Sequence, residues 1–264
     1  MLRITSRLTA VFAGSLLALS LCGPLPEAEA GARLDKIMQT KTLRVGTPGD
    51  YRPFSMHEDG KITGHDIEVI EKIAGELGVK VEYVQSSWPT LAKDYADDKF
   101  DVAVGGITRT GARFAFADFL PAYAPFGKVA LVRKADKDRF TTLGSLNQPD
   151  VRVIKNPGGS NEIFVDTHLT KARVSLHPNN AEIPHMIAEG KGDVMITETN
   201  EAIIYSKLDE RLHPAFLDNP LTPVNYIGFM LQKDDPDYVR LMNFVWDLLG
   251  RRGELGKSAD AWLK

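Results

Sequence analysis

Two carboxyl groups three positions apart, Glu198 and Glu201 in the run Thr197-Glu198-Thr199-Asn200-Glu201, are the side chains best placed for acid–base chemistry. On a helix that spacing puts both on one face. Facing an anionic ligand they would repel it unless one keeps its proton, and a carboxyl protonated near neutral pH is what a general acid requires. Acids at a helix start that merely complement its dipole are the plainer alternative. Arg113 closes the run Gly105-Gly106-Ile107-Thr108-Arg109-Thr110-Gly111-Ala112-Arg113 and can grip a carboxylate with a two-pronged hydrogen bond. Gly106 and its neighbour leave backbone N–H groups open, and Thr108 adds a hydroxyl; a solvated surface arginine is the alternative. A second glycine pair, in Asn156-Pro157-Gly158-Gly159-Ser160-Asn161-Glu162, makes an anion nest where a helix opens. Capping would account for Ser160 or Asn161 but not for Gly159 and its partner glycine together. Tyr51, in Asp50-Tyr51-Arg52-Pro53-Phe54, and Trp88, in Ser86-Ser87-Trp88-Pro89, are either walls for a planar ligand or lids on the core.

Other chemistries fall away. The six histidines show no i, i+4 zinc pair and the chain has one Cys, so neither a metal site nor a disulfide framework is expected. Gly253-Glu254-Leu255-Gly256-Lys257-Ser258 imitates the end of a phosphate loop, but Arg251 stands where the first glycine belongs. Gly158-Gly159-Ser160-Asn161-Glu162 ends in Glu where a nucleophile elbow needs Gly. With 32 Lys+Arg against 35 Asp+Glu the net charge is −3, which leaves no basic field for nucleic acid.

These segments follow the elements that must hold them. Residues 42–47, 79–84 and 100–104 read as strands, with a helix over 66–77 stopped by Gly78 and a short one over 90–97. That order argues for a parallel sheet with helices outside. The pattern recurs: Ala96-Asp97-Asp98-Lys99-Phe100-Asp101-Val102 lines up with Ala188-Glu189-Gly190-Lys191-Gly192-Asp193-Val194. Strands over 151–154, 173–176 and 194–196 and a helix over 163–169 complete a second unit. The expected fold is α/β, two Rossmann-like lobes joined by a two-strand hinge, with extended crossings near 129–134 and 226–232. A helix over 237–249 returns to the first lobe. The lobes are 31–132 plus 227–264 and 133–226, and the site lies in the cleft between them. Ahead of them, Arg3 and Arg7, an apolar run over 8–21 and Ala28-Glu29-Ala30 read as a secretory signal cut after residue 30, which also removes Cys22. The run is too short to span a bilayer, so no stable membrane insertion is expected.

Taken together, the five segments resemble the type-2 periplasmic solute-binding fold, in the amino-acid-binding branch (family 3) of ABC-transporter receptors. In that branch the arginine after the glycine–threonine segment holds a substrate α-carboxylate and an acid after a late strand of the second lobe holds the α-amino group; Arg113 and Glu198 occupy those places. A narrower set resembles the cyclohexadienyl dehydratase family: Arg33-Leu34-Asp35-Lys36-Ile37, Gly49-Asp50-Tyr51-Arg52-Pro53-Phe54-Ser55, Ser87-Trp88-Pro89, Asp94-Tyr95-Ala96-Asp97-Asp98-Lys99-Phe100-Asp101, Asn156-Pro157-Gly158-Gly159-Ser160-Asn161-Glu162 and His177-Pro178-Asn179-Asn180. Those periplasmic enzymes use the receptor fold to turn prephenate into phenylpyruvate and arogenate into phenylalanine. Gly105 stands where the branch commonly has Ser, and Ala112 where an acid usually precedes the arginine.

The resemblance implies a periplasmic lyase whose general acid is Glu201, with Arg113, Thr108, the Asn156 to Asn161 nest and Lys128 holding carboxylates and Tyr51 and Trp88 flanking the ring. It implies no metal and no organic cofactor, and a small carboxylate as the partner. The oligomeric state stays open, a homo-oligomer included. The rival expectation is a non-catalytic receptor that hands an amino acid or related carboxylate to an ABC permease. Glu201 is the residue that separates the two.

Overall fold

Two five-stranded sheets carry the chain, and both are wired alike. In a computed structural model that describes residues 31–263, the first sheet has the spatial order Lys80–Gln85, Thr42–Thr47, Val102–Ala103, Met230–Leu231, Asp118–Phe119. The second has the order Arg173–Leu176, Arg152–Lys155, Val194–Glu198, Lys128–Arg133, Leu212–Ala215. In each, the first three strands are parallel and the fourth runs against both its neighbours. The expected α/β architecture of two lobes is therefore present. The export signal and Cys22 lie outside the described residues.

The helices form where the apolar spacing places them. His65–Leu77 buries Ile67, Ile70, Ile73 and Ala74 on one stripe and stops at Gly78, whose left-handed conformation (φ 65°) lets its N–H reach back to the Ala74 carbonyl. Pro236–Arg251 starts at Asp235, which caps the Asp237 and Tyr238 N–H groups, and packs Tyr238, Met242, Val245 and Leu249 on the same core. The helix after the second glycine pair spans Gly159–His168, four residues earlier than the apolar pattern indicates, because its first turn is polar and shows no stripe. The phosphate-loop imitation is part of the helix Glu254–Trp262, whose Ser258 hydroxyl donates to Glu68 (2.7 Å).

The internal repeat has a physical basis. Asp101 takes the Arg44 backbone N–H (2.9 Å) and Arg44 Nη2 (2.7 Å); Asp193 takes the Arg152 backbone N–H (2.9 Å) and Arg152 Nη2 (2.7 Å). Each aspartate begins a buried strand and locks it to its parallel neighbour. A further arginine completes each cluster, Arg33 in the first lobe and Arg133 in the second.

The crossing differs from the expectation. Ala124–Phe126 pairs with Asn225–Ile227, so these two segments are the hinge. Lys128–Arg133, placed in the crossing by its extended pattern, is a strand of the second sheet, although a lobe boundary at 132 assigns most of it to the first lobe. A buried strand and an extended connection carry the same apolar pattern, and only pairing separates them. A three-stranded meander, Asp50–Tyr51, Ser55–Glu58 and Lys61–Thr63, is not legible in the sequence, its strands being too short to show a period. Because Asp101 is a buried anion bonded to two arginines, Asp101→Ala leaves the Arg33 guanidinium buried and under-paired; urea unfolding should register a loss of about 3 kcal/mol.

Candidate active site in the interlobe cleft

Every parallel strand of both sheets delivers a residue to one cavity. Tyr51 follows Thr42–Thr47, Trp88 follows Lys80–Gln85, and Gly106, Thr108 and Arg113 follow Val102–Ala103. From the other lobe, Asn156 to Asn161 follow Arg152–Lys155, Asn180 follows Arg173–Leu176, and Glu198 ends its own strand. The walls leave about 310 Å³ of empty space, and ten of the residues named from sequence line it: Tyr51, Trp88, Gly106, Thr108, Arg113, Asn156, Gly159, Ser160, Asn161 and Glu198. Lys128 and Glu201 stand one layer behind.

Glu198 is the junction of the lobes. It is 3% exposed, accepts the Tyr51 hydroxyl from the opposite lobe, forms an ion pair with Lys128 and takes the Ser160 hydroxyl at 3.2 Å. Lys128 Nζ also donates to Asn161 Oδ1 and to Ser160 Oγ (2.8 Å). Burial alone would raise Glu198, but Lys128, Tyr51 and Ser160 hold it below the usual carboxylate range. Burial, and then the negative charge of Glu198, push the Tyr51 hydroxyl well above its ordinary value.

Glu201 has the opposite surroundings. It is fully buried and no cation among the described residues pairs with it; Asn180 Nδ2 donates to Oε1 at 2.8 Å, and the Thr197 hydroxyl is hydrogen-bonded to Oε2. Burial first, then the charges of Glu198 and Asp50, raise it well above 4.5, and the two hydrogen bonds do not offset them. Two carboxyls three residues apart thus hold different protonation states, one an anion and the other an acid.

Arg113 donates to the Thr108 carbonyl (2.7 Å), and no carboxylate pairs with it among the described residues. Burial lowers the guanidinium's value, opposed only by the charge of Glu198. A substrate carboxylate would supply the missing partner.

Three details depart from the sequence reading. The Gly105 and Gly106 N–H groups are not open: both donate to Asp66 Oδ2 at 2.9 Å, while His65 Nδ1 (2.8 Å) and the Tyr123 hydroxyl meet Oδ1. A buried helix-start aspartate claims the donors, which no local pattern at 105–106 reveals. The Gly158 N–H donates to Glu162 Oε2 (2.7 Å), so the nest is filled in part by its own helix. Tyr51 and Trp88 are not parallel plates. Their rings meet edge to face at 5.7 Å and 89°, making a corner, with Trp88 Nε1 held by Asp50 Oδ1 at 2.9 Å. Asn180 and Asp50 are site residues that the sequence reading missed. The signal for Asn180 is its position, since 177–180 follows a parallel strand as every other lining segment does.

Residues 43–264 match the family of bacterial extracellular solute-binding proteins, family 3, and the chain belongs to it. Within that class it is 37% identical over 237 residues to a cyclohexadienyl dehydratase of Pseudomonas aeruginosa, covering 88% of this chain and 87% of that one. It is 31% identical over 231 residues to the L-cystine-binding protein TcyJ of Escherichia coli, covering 87% and 85%. Among solved structures, the ancestral amino acid-binding protein AncCDT-1, described as a precursor of cyclohexadienyl dehydratase, superposes with a TM-score of 0.81 at 33% identity over 88% of this chain and 100% of that one. A variant of the ancestral cyclohexadienyl dehydratase AncCDT-3 is 47% identical over 88% and 96%, with a TM-score of 0.53.

Two outcomes test this geometry. Gly158 lies against the opposite lobe, and a Cβ there would sit 2.5 Å from Pro89 N at a φ of 76°. Gly158→Ala should therefore prop the cleft open, giving a larger radius of gyration in solution scattering with the helix content unchanged. Glu201 keeps its proton in the fold but ionises when unfolded, so its contribution to stability falls as pH rises above 4.5 toward its raised value. Glu201→Gln, which cannot ionise, should melt higher than the unmutated protein at pH 7, and the difference should vanish near pH 4.

Proposed function

We propose that the protein is a periplasmic cyclohexadienyl dehydratase that converts prephenate to phenylpyruvate and arogenate to phenylalanine, with Glu201 as the general acid. The observation that carries this reading is the pair of unlike carboxyls: Glu198 compensated by Lys128, Glu201 buried with no cation beside it among the described residues. The similarity to a dehydratase over most of the chain supports it, as does the family, whose members act outside the cytoplasm. Residues 1–30 are taken as the export signal.

The chemistry suits the residues. Arg113 holds one substrate carboxylate and Lys128 draws the other, with the hydroxyls of Thr108 and Ser160 beside them. The Tyr51–Trp88 corner seats the ring. Glu201 gives its proton to the departing ring hydroxyl, and the C–O bond breaks to release water. The carbon–carbon bond to the ring carboxylate breaks with it and releases CO₂, and its electron pair completes the aromatic ring. Atoms and charge balance with the one proton that Glu201 supplies and later regains from solvent. Glu201 stands behind Asn180, which lines the cavity and is hydrogen-bonded to it. Closure of the lobes excludes water while the proton is in transit.

The rival reading is a receptor that passes an amino acid or related carboxylate to an ABC permease. It uses Arg113 and Glu198 for the α-carboxylate and the α-amino group, and the binding-protein relatives favour it. It has no task for a neutral Glu201.

Purified protein given prephenate should yield phenylpyruvate. Glu201→Gln should lower turnover by about 10²- to 10⁴-fold without loss of fold. In the unmutated enzyme turnover should decline as pH rises through the raised value of Glu201, because the protonated form does the work. No turnover, together with tight binding of an amino acid, would overturn the reading.

A further inference from the structure

Asn180 is 1% exposed, lines the cavity, and has a side-chain oxygen without a hydrogen-bond partner among the described residues. Its nitrogen is fully engaged, donating to the Asp50 carbonyl at 3.3 Å and to Glu201 Oε1 at 2.8 Å. Its backbone N–H meets Asp50 Oδ2 at 3.3 Å. Exchanging the amide's oxygen and nitrogen would set Oδ1 against the Asp50 carbonyl, which can only accept, so the orientation follows from that contact. An acceptor left buried and unpaired is destabilising, and on a residue that lines a cavity it is a socket for a donor on the ligand.

Resting on the dehydratase reading, we infer that Asn180 Oδ1 accepts the hydrogen of the substrate's ring hydroxyl and so aims that oxygen's lone pair at Glu201. Carboxylates and a ketone donate nothing, so the ring hydroxyl is the one donor that prephenate and arogenate share; arogenate adds an ammonium. The same amide grips the acid through Nδ2, which places leaving group and proton donor on neighbouring atoms of one side chain. The link also spans the lobes: Trp88 Nε1 holds Asp50, and Asp50 holds Asn180. The residue that holds the acid is thus itself held across the cleft by Asp50 of the first lobe.

The test compares ligands with and without the hydroxyl. Asn180→Ala should lower kcat/KM about 10- to 100-fold for prephenate and arogenate alike, while competitive inhibition by phenylpyruvate and phenylalanine, which lack the hydroxyl, stays within about twofold. Retained product binding also reports an intact cleft. Should alanine fail to fold, Asn180→Ser, whose shorter side chain withdraws the acceptor, should give the same split. Equal weakening of substrates and products would mean a merely structural residue and overturn the inference. A loss confined to arogenate would assign the oxygen to the ammonium and overturn it too. Unmutated protein with no turnover of either substrate would instead remove the dehydratase reading itself.

Discussion

The cleft is organised by an imbalance of charge. Two buried carboxyls lie three residues apart, and Lys128 neutralises only Glu198. Desolvation, and then repulsion from Glu198, favour the protonated form of Glu201. Most other features of the site follow. Tyr51 donates to the compensated carboxylate of Glu198, and Thr197 and Asn180 surround the uncompensated Glu201. Arg113 is left with the Thr108 carbonyl and no carboxylate among the described residues.

The two lobes make this imbalance conditional. Glu198 and Glu201 belong to one lobe, whereas Tyr51, Asp50 and Trp88 belong to the other. The contacts that seal the cavity, Tyr51 to Glu198, Asp50 to Asn180 and Thr108 to Ser160, all cross the gap. Each lobe is meanwhile braced from within by the matching aspartate–arginine clusters at Asp101 and Asp193. Two such bodies on a paired-strand hinge can open and close without deforming either core. That suits a receptor and an enzyme equally.

What divides those two uses is small in structural terms. Holding an amino acid needs an anion and a cation at fixed separation, which Glu198 and Arg113 supply. Expelling a hydroxyl needs in addition a proton kept available in a dry site, and Glu201 is the group whose surroundings provide it. A receptor cleft that already excludes water and aligns carboxylates has most of what such an elimination demands.

The sequence alone determined the two-lobe α/β plan, the three parallel strands of each lobe and ten of the cavity's lining residues, because strand period, helix stripe and strand-end position are local properties. It identified Glu201 through its spacing from Glu198, and the repeat through Asp101 and Asp193. The tertiary structure decided the pairings. Asp66, some forty residues away in sequence, takes the Gly105 and Gly106 N–H groups. Lys128 lies in a sheet and not in the hinge, and Asn180 lies between Asp50 and Glu201. Such partners are set by which surfaces meet when the chain packs, and no residue's immediate neighbours encode them.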